Sequence, residues 1–186
     1  MTHSTSDRMP PSSLDLSLAR IEEAVRTIDP VFLSTPQFID EQLSAALGRQ
    51  VVVKVETANP LRSFKGRGAD FVMGRLDARQ SVVCASTGNF GQAMAYAGRR
   101  RGVGVEVFVP TDVDPVKLAR MKAFGARVTS VGRDSAECEM AARTHAATTP
   151  GCVFIQDGVD RAALEATVVI EALVGAAPVE RVLDGG

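Results

Sequence analysis

A chain of 186 residues, 45% apolar and 23% charged, can fold as one domain, or as one small domain with part of another. Its net charge of −1 leaves no basic surplus for nucleic acid and no like-charge block for an interaction tail. No stretch approaches the roughly 18 apolar residues that span a bilayer, so no membrane partner is expected. The polar start MTHSTSDRMPPSS lacks the apolar core of a secretion signal and reads as a disordered lead-in.

The three cysteines, Cys84, Cys138 and Cys152, are odd in number, widely spaced and without a CxxC. They suggest neither a disulfide framework nor a zinc site, and they fit a reducing cytoplasm. Cys84 and Cys152 sit in apolar runs and read as small buried hydrophobes. Only His3 and His145 are available, too few for a histidine-based metal site or triad, and no metal is expected.

Apolar residues at Leu14, Leu18, Ile21, Val25 and Ile28 recur at helical spacing, with Ser12 or Ser13 as a cap and Asp29-Pro30 as a stop. Phe38 to Leu47 is mixed: a strand start, then a short helix closed by Gly48. Val51 to Val55 reads as a strand, broken by Asn59-Pro60. A helix follows from Lys65 to about Asp77.

From Ser81 the pattern is regular. Strands are expected at Ser81–Ala85, Val103–Val109, Arg127–Val131 and Cys152–Ile155. Helices are expected at Phe90–Arg101, Pro115–Phe124, Asp134–Thr148 and Ala162–Val174. Asp114, Pro115 and Gly125 mark the ends of the second of these helices. Arg99-Arg100-Arg101 reads as a solvated helix end that suits the helix dipole. Strands alternating with helices of this length imply βαβ crossovers and a parallel sheet.

Two segments carry chemistry. Asn59 to Ala69 reads NPLRSFKGRGA and places Lys65 in a Ser-Phe-Lys-Gly-Arg-Gly turn. A lysine amine condenses with a carbonyl only when deprotonated, which a partly desolvated pocket favours. Gly66 and Gly68 let the backbone approach a flat ring, and Arg62 and Arg67 disfavour a second buried cation. Read by itself, Lys65 is a surface lysine at a helix start. The second segment, Ala85 to Gln92, reads ASTGNFGQ and lies between a strand and a helix. The unpaired N–H groups and positive dipole end of that helix welcome an anion, and Ser86, Thr87 and Asn89 add directed hydrogen bonds. Read by itself, this is a plain N-cap by Thr87 or Asn89.

Together the two segments resemble the pyridoxal-phosphate enzymes of the tryptophan-synthase-β type (fold type II), and within them the threonine/serine dehydratases. Asn59, Pro60, Ser63, Phe64, Lys65, Arg67, Gly68 and Ala69 match the family's lysine motif, and Ser86-Thr87-Gly88-Asn89 follows in the family's order. The resemblance implies pyridoxal 5'-phosphate as cofactor, bonded to Lys65 beside Phe64, with Lys65 also moving the substrate's α-proton. It implies a substrate carboxylate site at Ser86, Thr87, Gly88, Asn89 and Phe90, with Asn89 meeting the cofactor ring. It also implies a small amino acid as substrate, losing its β-hydroxyl to leave a 2-oxo acid and ammonia. Threonine-synthase-like or β-replacement chemistry uses the same loops and stays open.

The pattern also departs from the family. Ala163-Leu164-Glu165-Ala166-Thr167, followed by Glu171, stands where a glycine-rich segment is usual. The family's phosphate cup would fall at Asp184-Gly185-Gly186, so Gly185 and Gly186 are its candidates here. The expected fold is α/β: a parallel-sheet, three-layer small domain at residues 81–153 and an incomplete large domain at residues 14–80 and 154–186, after a disordered 1–13. An incomplete large domain leaves an apolar face uncovered, so self-association is expected. It also implies impaired catalysis, or a non-catalytic fragment that binds a partner.

Overall fold

The computed structural model describes residues 18–77 and 79–158. The helix expected at residues 162–174, the Ala163–Glu171 departure, Gly185 and Gly186 lie outside the described residues.

Helix α1, Leu18–Thr27, is followed by Asp29, whose carboxylate accepts from the Val31 N–H and opens a short 3-10 helix at Pro30–Phe32. Strand β1, Gln37–Ile39, leads through the cap Asp40 into α2, Glu41–Leu47, which ends on Gly48 at φ +64. Strand β2, Val52–Lys54, pairs antiparallel with β1, Phe38 opposite Val53. Helix α3, Lys65–Met73, stops at Gly74, four residues before the expected end. The absent side chain of Gly74 leaves space that the Arg101 guanidinium fills, 3.4 Å from where a Cβ would stand.

The next elements follow the expected order: β3 Ser81–Ala85, α4 Asn89–Arg101, β4 Gly104–Val109, α5 Pro115–Ala123, β5 Arg127–Ser130, α6 Ser135–Thr148 and β6 Cys152–Phe154. Gly102 at φ +72 terminates α4. Asp114 and Asp134 cap α5 and α6 by accepting backbone N–H bonds.

All four strands are parallel, in the order β5-β4-β3-β6. Alternation along the strands sends neighbouring side chains to opposite faces. Val82 and Cys84 of β3, with Val105, Val107 and Val109 of β4, join Ala93 and Met94 of α4 and Met121 of α5 in one core. Val83 and Phe108 face the other way, onto Cys138 and Ala142 of α6. The sheet thus lies between α4 and α5 on one side and α6 on the other, and α3 packs against the outside of α4. The first core also takes in Ala24, Phe32, Leu61 and Phe71, so it runs continuously from α1 to the sheet.

Gly98 explains how closely α4 lies on the sheet, because a Cβ there would be 2.3 Å from Val105 Cγ2. Gly66 has a similar part in α3: a Cβ there would be 2.3 Å from Phe32 Cε1 and 2.8 Å from Leu61 Cδ1. It lets α3 seat on Phe32.

The arginine run is also more than a solvated helix end. Arg99 donates to the Ala123 carbonyl at the end of α5 (3.0 Å) and lies over the Tyr96 and Phe124 rings. Arg100 pairs with Asp29. Arg101 holds buried Asp70 through Nε (2.9 Å) and Nη2 (2.7 Å), and donates to the Thr27 carbonyl. Apolar surface remains uncovered on β1 and α2, where Phe38, Ile39, Leu43 and Leu47 are exposed and α2 buries none of its residues.

Candidate active site

The strand order decides where a site can form. From β3 the chain moves outward through β4 to β5, then returns to place β6 on the other side of β3. The strand order therefore reverses at β3, between β4 and β6, and α/β sheets place ligand crevices at the carboxyl ends of strands at such a point. Ser86 to Asn89 follows β3 here, and Ile155 to Gly158 follows β6.

Lys65 reaches this point from the first turn of α3. Asn59 builds the approach: its side-chain oxygen accepts from the Leu61 and Ser63 N–H groups, and its amide nitrogen donates to the Glu56 and Ser63 carbonyls. The turn built around buried Asn59 thus leads directly into Phe64 and Lys65. Phe64 is exposed and the Lys65 side chain is 26% exposed. Lys65 Nζ lies 5.3 Å from the Phe64 ring centre and 5.9 Å from that of Phe90. The Phe90 contact brings the lysine segment to the start of α4, uniting two of the sequence-derived groups.

Arg67 does not crowd the lysine. It is buried, donating to Glu56 Oε1 at 2.8 Å and to Thr35 Oγ1 at 3.2 Å. Glu56 answers its charge. Lys65 has its own counter-ion, Asp157 Oδ1 at 2.5 Å.

At the start of α4, Ser86 acts as the cap. Its Oγ accepts from the Gly88 N–H (3.2 Å) and the Gly91 N–H (3.0 Å). Neither Thr87 nor Asn89 does so; both are exposed and, among the described residues, their side chains make no hydrogen bond. Gly88, in an extended conformation, has open space where a Cβ would stand. Beneath the loop, burial pushes the Cys84 thiol up from its ordinary 9.0 to about 12, and the Asp157 charge adds to the rise. Cys84 is therefore a packing residue beside the site.

Asp157 is the residue that sequence reasoning missed. It lies 92 positions from Lys65, in a stretch with no local pattern to flag it. Only the return of β6 beside β3 brings the two together. Among the described residues no group of His, Cys, Asp and Glu could hold a metal ion, and no helix is long and apolar enough to cross a membrane.

An amine near two aromatic rings, beside a helix start and at a switch point, places the chain in a class: α/β proteins with a parallel sheet and a lysine at the carboxyl ends of β3 and β6. Comparison with known proteins narrows the class. Residues 28–182 match the family model of the pyridoxal-phosphate dependent enzymes, and the chain belongs to that family. It is 32% identical to the biosynthetic L-threonine dehydratase of Mycobacterium leprae, over 91% of this chain and 40% of that protein. It is 36% identical to the human L-serine dehydratase/L-threonine deaminase, over 68% of this chain and 39% of that protein. The crystal structure of serine racemase from Dictyostelium discoideum superposes with a TM-score of 0.73 at 28% identity, covering 81% of this chain and 50% of that one. The chain thus spans half or less of the length of these relatives.

Proposed function

We propose that this chain carries the lysine and substrate-carboxylate parts of a threonine/serine dehydratase-type lyase, which removes a β-hydroxyl from a small amino acid to give a 2-oxo acid and ammonia. The observation that carries the reading is the meeting of Lys65, Phe90 and the Ser86–Asn89 loop at the switch point. The residues present suit pyridoxal 5'-phosphate: a partly shielded amine lies near two aromatic rings, and Phe90 of that pair adjoins the exposed Asn89 at the start of α4.

In this reading Lys65, Phe64 and Asn89 would hold the cofactor, Lys65 through its amine. Ser86, Thr87, Gly88, Asn89 and Phe90 receive the substrate carboxylate, aided by the dipole of α4. Ser86 keeps its hydroxyl hydrogen free to donate, because its oxygen serves the helix as an acceptor. When bound, the cofactor supplies an electron-withdrawing ring that stabilises negative charge at the substrate's Cα. Lys65 Nζ would serve as the base that takes the α-proton. In this reading residues 81–153 are the small domain, and residues 14–80 and 154–186 belong to a partial large one.

The test is covalent. The protein is mixed with pyridoxal 5'-phosphate, reduced with borohydride and mapped by peptide mass. The expected result is a label on Lys65 that Lys65→Ala abolishes. A label spread over Lys54, Lys117 and Lys122 with none on Lys65 overturns the reading.

A further inference from the structure

Lys65 has a counter-ion already in place. Asp157 Oδ1 sits 2.5 Å from Nζ, and the pair is only part-exposed, 26% for the lysine side chain and 44% for the aspartate. Two aromatic rings flank the amine, so fewer waters can compete for it than on an open surface. The carboxylate comes from the loop after β6 and stands at the mouth of the crevice, close enough to Cys84 to raise its thiol pKa further. It therefore holds a position beside Nζ that an incoming carbonyl compound would compete for.

We propose that Asp157 is a positioning residue for the Lys65 amine: it pairs with Nζ and slows its condensation with carbonyl compounds until the carboxylate moves aside. The inference rests on the reading of Lys65 as the carbonyl-bonding lysine. Condensation needs the nitrogen lone pair. The ammonium first gives a proton to solvent, the lone pair then attacks the carbonyl carbon, and the carbonyl oxygen leaves as water. A carboxylate bonded to Nζ must be displaced before the nitrogen can meet a carbonyl carbon. Asp157 thus sets how fast the lysine can be loaded, and it favours ligands able to displace a carboxylate from that amine.

The experiment uses the full chain and formaldehyde with cyanoborohydride. Formaldehyde forms an imine on a free amine, and hydride from cyanoborohydride reduces it to a methylamine. Peptide mass gives the rate at Lys65 relative to exposed Lys117 and Lys122 on the same molecule. In Asp157→Asn the relative rate at Lys65 is expected to rise about 3- to 10-fold, the scale of a partly exposed charge-assisted pair. Asp157→Glu is expected to restore the slow rate. An Asn variant within about twofold of the natural protein, or a Glu variant as fast as Asn, overturns the proposal.

Should the Asn variant melt below the assay temperature, the natural protein supplies the answer. Raising salt from about 0.05 to about 0.5 M screens a part-exposed pair and should speed Lys65 relative to the reference lysines. A flat ratio overturns the proposal. Formaldehyde carries neither phosphate nor ring, so this outcome is independent of whether pyridoxal 5'-phosphate labels Lys65.

Discussion

Replacing Arg101 by methionine should cost the fold about 2–4 kcal/mol, because of what it leaves behind. The Asp70 side chain is 2% exposed and accepts three bonds: Arg101 Nε at 2.9 Å, Arg101 Nη2 at 2.7 Å and the Asp29 N–H at 2.7 Å. Arg101→Met removes two charge-assisted bonds and the positive charge, leaving a buried carboxylate with one backbone donor. Breaking a buried pair on one side costs about 3–5 kcal/mol. The Arg101 side chain is 34% exposed, so water can enter the vacated space, and the lower range applies. The lost bond from Nη2 to the Thr27 carbonyl adds about 0.5–1 kcal/mol. Asp70 lies on α3, Arg101 ends α4, and Thr27 and Asp29 end α1, so the loss should loosen all three helices together. Urea unfolding followed by circular dichroism checks this through a lower midpoint with an unchanged slope. The double variant Asp70→Leu/Arg101→Met should lose less than the sum of its parts, with a coupling of at least about 1 kcal/mol. A single Arg101→Met loss under about 0.5 kcal/mol, or strict additivity, would refute the reasoning.

Other outcomes follow from the same geometry. Ser86→Ala should lower stability by about 1 kcal/mol because it strips the acceptor from the Gly88 and Gly91 N–H groups, whereas Thr87→Ala and Asn89→Ala should be near neutral in the same urea assay. Gly98→Ala should cost more than about 1–3 kcal/mol by forcing α4 off β4, and Gly66→Ala should act likewise on Phe32; calorimetric melting would show both. Cys84 should resist thiol reagents in the native state at pH 8 and react fully once urea unfolds the chain. Its raised pKa also gives a pH dependence. The folded state keeps its proton longer than the unfolded one, so this stabilisation is complete below about pH 9 and is lost as pH rises from 9.0 towards 12. Cys84→Ala should flatten that part of the stability profile.

Much of this protein was legible from local pattern. Helices and strands from Ser81 to Phe154 came within a residue or two, because caps such as Asp114 and Asp134 and stops such as Gly102 act through their nearest neighbours. Lys65 and the Ser86–Asn89 loop were also legible, since each is a contiguous motif whose chemistry resides in its own residue types. What the sequence could not show depends on long-range approach. The fill beneath Gly66 is Phe32, 34 positions back, so only packing reveals why that position must be small. The capping acceptor at α4 turned out to be Ser86, because loop geometry and not residue preference selects which oxygen faces the N–H groups. Asp70 and Arg101 are unremarkable on their own helices and become a pair only when α3 lies on α4. Asp157 gains its place beside Lys65 because β6 returns to the edge of β3, and a strand order is a decision of the whole sheet that no single strand's residues encode.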